Sequence, residues 1–100
     1  MFTVNDTVYT LKFNTQKVKV IETVTKQSIV GEVTKNNGIM PYQTLESLFS
    51  FGLVDAKTNT PVKQSEATAM FDKVVQENGL ITTNMAIVEK LQEDLGFMFR

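Results

Sequence analysis

The chain has 100 residues, a formal net charge of −1 and neither cysteine nor histidine. Disulfides, thiolate nucleophiles and thiolate zinc sites are excluded together, and so is the imidazole that most often serves as a base or metal ligand near neutral pH. A chain of this length makes one domain, residues 1–100, and buries roughly 60–70% of the surface its unfolded form exposes, so no covalent staple is required.

In chain order, a β-hairpin is expected first, over about residues 2–13. Phe2 and Val4 alternate with Thr3, and Tyr9, Leu11 and Phe13 alternate with Thr10 and Lys12, the period of two of half-buried strands. With Asn5-Asp6 as a two-residue turn, Val4 faces Thr7 and Phe2 faces Tyr9, and Phe2, Val4, Tyr9, Leu11 and Phe13 share one face. A lone hairpin is unstable in water, so this face must lie on helices. Residues 15–38 read less clearly. Val18, Ile21 and Thr25 suit a helix capped by Asn14 or Thr15, while Val18, Val20 and Val24 suit a strand; the helix is the favoured reading. Ser28–Val33 reads as a short strand and Lys35-Asn36-Asn37-Gly38 as a solvated turn.

Pro41 opens a helix that carries Leu45, Leu48 and Phe49 at core spacing and stops at Gly52. Asp55–Lys63 is a polar loop. The last third then holds two amphipathic helices that close on each other and organise the rest. The first is capped by Ser65, carries Ala67, Met70, Phe71 and Val74 on one stripe, and stops at Asn78-Gly79. The second starts at Thr82 or Thr83 and ends at Gly96, with Ile87, Leu91 and Leu95 in line. The fold class expected is α+β, the hairpin packed on a mainly helical region of about residues 41–97. Its core is Phe2, Tyr9, Leu11, Leu48, Phe49, Phe71, Val74, Ile87 and Leu91. After Gly96 an apolar run, Phe97, Met98 and Phe99, calls for its own explanation. It is either a strap folded over the hairpin's open face or a candidate partner-binding end.

No chemistry-bearing constellation stands out. Glu93-Asp94, and Glu66 with Asp72, pair carboxylates on polar helix faces without a histidine, cysteine or arginine partner. Asp55-Ala56-Lys57-Thr58-Asn59 lacks the central glycine and terminal glutamate of a calcium loop. Asn36-Asn37-Gly38 opens no phosphate-binding loop, since no Gly-Lys-Ser/Thr follows. Lys17, Lys19, Lys26 and Lys35 are interrupted by Glu22 and Glu32 and have no aromatic ladder, which argues against nucleic acid. The expectation is a protein that is not an enzyme, with no catalytic residue, metal or cofactor. No segment is apolar over the ~20 residues of a membrane span, and Met1-Phe2-Thr3 lacks the build of a signal peptide, so a cytoplasmic protein is expected. The charge is polarised along the chain, with lysine in excess over residues 12–35 and acids in excess over residues 66–94. Opposite signs of this kind allow head-to-tail self-association.

The order of the parts carries a resemblance. The hairpin Phe2-Thr3-Val4-Asn5-Asp6-Thr7-Val8-Tyr9-Thr10-Leu11-Lys12-Phe13 is followed by a middle helix with Leu48-Phe49-Ser50-Phe51-Gly52-Leu53, then by Ala67-Thr68-Ala69-Met70-Phe71-Asp72, then by a last helix ending Leu95-Gly96-Phe97. This arrangement resembles the tail assembly chaperones of long-tailed, siphovirus-type phages and prophages of Gram-positive bacteria. It spans nearly the whole chain as a pattern of spaced apolar residues, and the lysine- and valine-rich segment Gln16–Val33 departs most from it.

The resemblance implies a chaperone that binds the tape-measure protein in the bacterial host cytoplasm, keeps it soluble, helps recruit the tail-tube protein and is absent from the mature virion. It also implies a longer, frameshifted form in many relatives, of which a chain ending at Arg100 is the short counterpart. A tape measure is a long helical chain with apolar stripes, and a small domain with an apolar groove suits helix-in-groove packing. The alternative is a small non-enzymatic adaptor or regulator from a mobile element that binds one folded partner. Neighbouring genes for a tube protein and a very long helical chain would favour the chaperone.

Overall fold

A computed structural model describes residues 2–100. At its start Asn5 and Asp6 both take positive φ, 50° and 67°, which is the backbone of a type I′ turn made without glycine. That turn fixes the hairpin of β1 (Phe2–Val4) and β2 (Thr7–Leu11) with Phe2 opposite Tyr9 and Val4 opposite Thr7, the register the alternation requires. The sheet has a third strand that the sequence reading placed in a helix end and a loop. β3 (Leu53–Asp55) pairs antiparallel with β2, Leu11 opposite Leu53 and Tyr9 opposite Asp55. It is only three residues long, too short for periodicity to register, and its pairing with a distant strand defines it. The far edge of β3 is closed by the following loop: Val62 N donates to Leu53 O at 3.2 Å and Asp55 N to Thr60 O at 2.9 Å. Pro61, bridged to Val54, ends that edge without a free N–H.

Residues 15–38 are helical throughout their ordered elements. α1 (Thr15–Thr25) is capped by Asn14, whose side-chain oxygen accepts from Lys17 N, and buries Val18 and Ile21. The segment read as a strand, Ser28–Val33, is instead the short helix α2 (Ile29–Thr34). Two oxygens determine this: Ser28 Oγ accepts from Gly31 N at 3.1 Å and Glu22 Oε2 accepts from Ile29 N at 2.8 Å. Satisfying the orphan donors of the first turn outweighs the modest strand preference of Ile29, Val30 and Val33. A single 3₁₀ turn over Asn36–Gly38 follows.

α3 (Tyr42–Gly52) begins after Pro41 and buries Leu45, Leu48 and Phe49. It then runs straight into β3 at Gly52, where an added Cβ would lie 2.6 Å from Phe13 Cε1; the buried Phe13 ring takes the space that any larger residue needs. α4 (Gln64–Asn78) is capped at Lys63, two residues before the expected Ser65, and without a side-chain capping bond. The reason is tertiary: Gln64 Nε2 donates to Ser50 O at 3.1 Å, which pins the start of α4 to the end of α3. α5 (Leu80–Leu95) begins directly after Gly79 rather than at Thr82 or Thr83. With φ at +87°, Gly79 makes the whole connection alone. Thr83 lies inside the helix, its hydroxyl turned back onto Gly79 O at 2.8 Å. At the far end Gly96 stays right-handed and leads into a one-turn 3₁₀ helix, Gly96–Phe99.

The result is an α+β fold, a three-stranded sheet on a bed of five helices. Of the expected core, Leu48, Phe49, Phe71, Ile87 and Leu91 are buried, while Phe2, Tyr9, Leu11 and Val74 are partly buried against them. The sequence reading left out Phe13, Val18, Ile21, Ile29, Val33 and Met40, since the segment it found ambiguous supplies one wall of the core. The last two helices are therefore not the sole organising centre; α3 packs on both α1 and α4. A ring series crosses the layers, with Phe2 to Phe49 at 5.8 Å, Phe49 to Phe71 at 5.4 Å and Phe71 to Tyr42 at 5.1 Å. Tyr42 closes it by donating its hydroxyl to Asp72 Oδ1 at 2.6 Å, a bond that pushes the phenol pKa up to about 12.

Of the polar side chains buried with this core, Asn84 ties two distant segments together. Asn84, 1% exposed, accepts from Met40 N at 3.0 Å and donates to Gly38 O at 2.7 Å. It thereby holds the chain before α3 against α5. Asn84→Ala leaves that donor and that acceptor buried without partners, and the expected loss is about 2–4 kcal/mol by chemical denaturation. Phe71→Ala, at a fully buried site, is expected to cost about 3–5 kcal/mol in the same measurement. A denaturation midpoint equal to the parent's for either variant contradicts the packing described.

Candidate partner-binding groove

The hairpin does not cover its bed completely. Between its inner face and the helices lies an open groove of about 370 Å³. Phe2, Val4 and Leu11 form the sheet side, Phe49 and Ile87 the floor, and Val74 and Ala86 the helix walls. Several hydroxyl residues and the charged Glu77 and Lys90 line the remainder. Gly79 joins α4 to α5 with no intervening loop, and both helices supply groove walls. At the helix wall stands Ala86, too small to reach the hairpin. Past Val4 a smaller hollow of about 150 Å³ continues along β1, between Val4, Asn5, Met70 and Lys73, with Glu77 shared between the two.

The charges at the groove are unequally compensated. Lys90 reaches Glu93 and Asp94, each at 3.2 Å; burial pulls its ammonium pKa down, and the two hydrogen bonds raise it on balance. Asp94 is also fixed from the other side, since Phe13 N donates to its Oδ2 at 2.9 Å. Among the described residues no ion pair reaches Glu77.

The residues weighed for chemistry fall into structural roles. Asp94 anchors the end of the hairpin, Asp72 holds the Tyr42 hydroxyl, and Glu66 is exposed. Asp55 takes Lys57 N and Thr58 N on one oxygen, at 2.9 and 3.2 Å, an Asx turn that shapes its loop. Lys17 donates to Lys12 O at 2.7 Å, with its pKa lowered by burial against the partial offset of Asp94. Lys35 pairs with the buried Glu32 at 3.4 Å. Among the described residues no three acidic side chains converge as a metal site, and no helix is long and apolar enough to cross a membrane.

The C-terminal candidates divide. Met98 and Phe99 are partly buried against the core, whereas Phe97 is 53% exposed. None of the three lines the groove beneath the hairpin. Sequence reasoning missed Asn84, Asp94 and Glu22, the side chains that tie distant segments together. For Asn84 a signal was available, because it stands in the same helical row as Ile87, Leu91 and Leu95 and is the one polar member of it. Deletion of residues 97–100 is expected to lower stability by about 1–3 kcal/mol through the lost burial of Met98 and Phe99. Phe97→Ser is expected to stay within ~0.5 kcal/mol of the parent. Thermal melts of the two variants check both, and equal losses would mean that Phe97 carries packing too.

Comparison with protein-family models, with curated proteins and with solved structures gives no match in any of the three.

Proposed function

We infer that the protein is a binding protein rather than an enzyme, and that it is a phage tail assembly chaperone whose partner is the tape-measure protein. The observation that carries this reading is the apolar groove under the hairpin, bounded by Phe2, Val4, Leu11, Phe49, Val74 and Ala86. Its volume, about 370 Å³, suits one or two large aliphatic or aromatic side chains from one face of a helix, the mode in which amphipathic helices dock. Its lining is dominated by methyl and ring carbon, and no histidine or convergent acid pair is there to perform acid–base chemistry. The order of hairpin and helices along the chain, which resembles that of the tail assembly chaperones, supplies the identity of the partner.

On this reading the chain covers apolar stripes of the tape measure in the host cytoplasm, keeps it soluble and presents it to tail-tube subunits. The exposed Phe97 is a second apolar contact, reached from the opposite end of α5. Basic residues 12–35 of one copy meet acidic residues 66–94 of the next along the bound chain, in head-to-tail contacts that salt weakens.

Co-expression with a phage tape-measure protein tests this. The parent chain is expected to hold that protein in the soluble fraction with many copies bound to each. Ala86→Trp, which fills the groove from an exposed position, is expected to lose it with a melting temperature no lower than the parent's. A single copy per partner would point to the adaptor reading, and full solubilisation by Ala86→Trp would place the contact elsewhere.

A further inference from the structure

We propose that the groove selects an amphipathic helix by charge as well as by shape: a helix whose apolar anchors are flanked by lysine or arginine, read by Glu77. This rests on the groove reading above and adds to it the chemistry of the occupant. Glu77 lines both the large groove and the smaller hollow beyond Val4, so a helix with one anchor in each passes directly over its carboxylate. The carboxylate is exposed, and among the described residues no cation pairs with it.

The cation on the facing wall does not offset that charge. Lys90 is held by Glu93 and Asp94, at 3.2 Å each, two carboxylates for one ammonium. With Lys90 committed to those two carboxylates, the charge left unpaired in the lining of the large groove, among the described residues, is that of Glu77. Lys73 stands one helical turn before Glu77 and borders only the smaller hollow. A bound helix thus meets Glu77 without an added cation at its larger anchor, and Glu77 together with Lys73 at its smaller one. Opposite charges placed over Glu77 are favoured, and like charges there are rejected, at a boundary where apolar walls exclude part of the screening water.

Two synthetic amphipathic peptides with identical leucine anchors, one carrying lysines beside the larger anchor and the other glutamates, test this by fluorescence anisotropy. The parent protein is expected to bind the lysine peptide about threefold or more tighter, a preference that shrinks as salt is raised. Glu77→Lys is expected to reverse the order, and Ala86→Trp to abolish binding of both. Equal affinity of the two peptides for the parent, with binding still lost in Ala86→Trp, would overturn the charge selection and leave the groove as a docking site. A preference unchanged in Glu77→Lys would overturn it as well. Failure of both peptides to bind the parent would remove the groove reading itself and this inference with it.

Discussion

The ring series from Phe2 through Phe49 and Phe71 to Tyr42 is the contact on which the rest of the structure depends. Each ring belongs to a different part of the chain: the first strand, the end of α3, the middle of α4 and the start of α3. The hairpin has no second layer of its own, and a two-stranded ribbon cannot persist in water. Phe2 stacked on Phe49 gives it that layer. Phe71 in turn fills the space between the two ends of α3, fully buried. Offset and edge-on rings add to the burial they share, so four residues fasten the sheet, α3 and α4 together.

Polar side chains do a different job. A short chain with many helix ends has many backbone groups to satisfy away from water. Here several are met by side chains of other elements: Gly38 and Met40 by Asn84, Phe13 by Asp94, Ser50 by Gln64 and Ile29 by Glu22. Such bonds contribute modestly as pairs, yet each fixes which element lies beside which, because a misplaced neighbour leaves a buried donor without an acceptor. Carboxylates that a sequence reader sets aside as solvated faces are thus part of the frame.

The groove follows from what this frame leaves open. Gly79 brings α5 back with no linking loop, the hairpin rests on Phe49, and Ala86 and Val74 line the angle between them without filling it. An open apolar site of this kind costs stability in an isolated molecule, since a larger side chain at Ala86 would bury more surface. Under the proposed function a partner covers this apolar surface, and Glu77, which no ion pair reaches among the described residues, sets the sign of the charge that it favours.

Local signals determined much of the architecture. The alternation around Asn5-Asp6 sets the hairpin and its register because a period of two admits only one face for Phe2, Val4, Tyr9 and Leu11. Pro41, Gly52 and Gly79 mark helix boundaries because φ and the missing N–H or Cβ act within a few residues. Tertiary structure alone decided the rest. Ser28–Val33 is helical since Glu22, on the preceding helix, supplies an acceptor to its first N–H and so adds to the local Ser28 cap. Leu53–Asp55 is a strand since β2 lies beside it. α4 starts at Gln64 since Ser50 holds that side chain. The groove belongs to the same class. Its walls come from residues 2–11, 49 and 74–90, and the empty space between them depends on the angle between packed elements, which no local pattern of residues specifies.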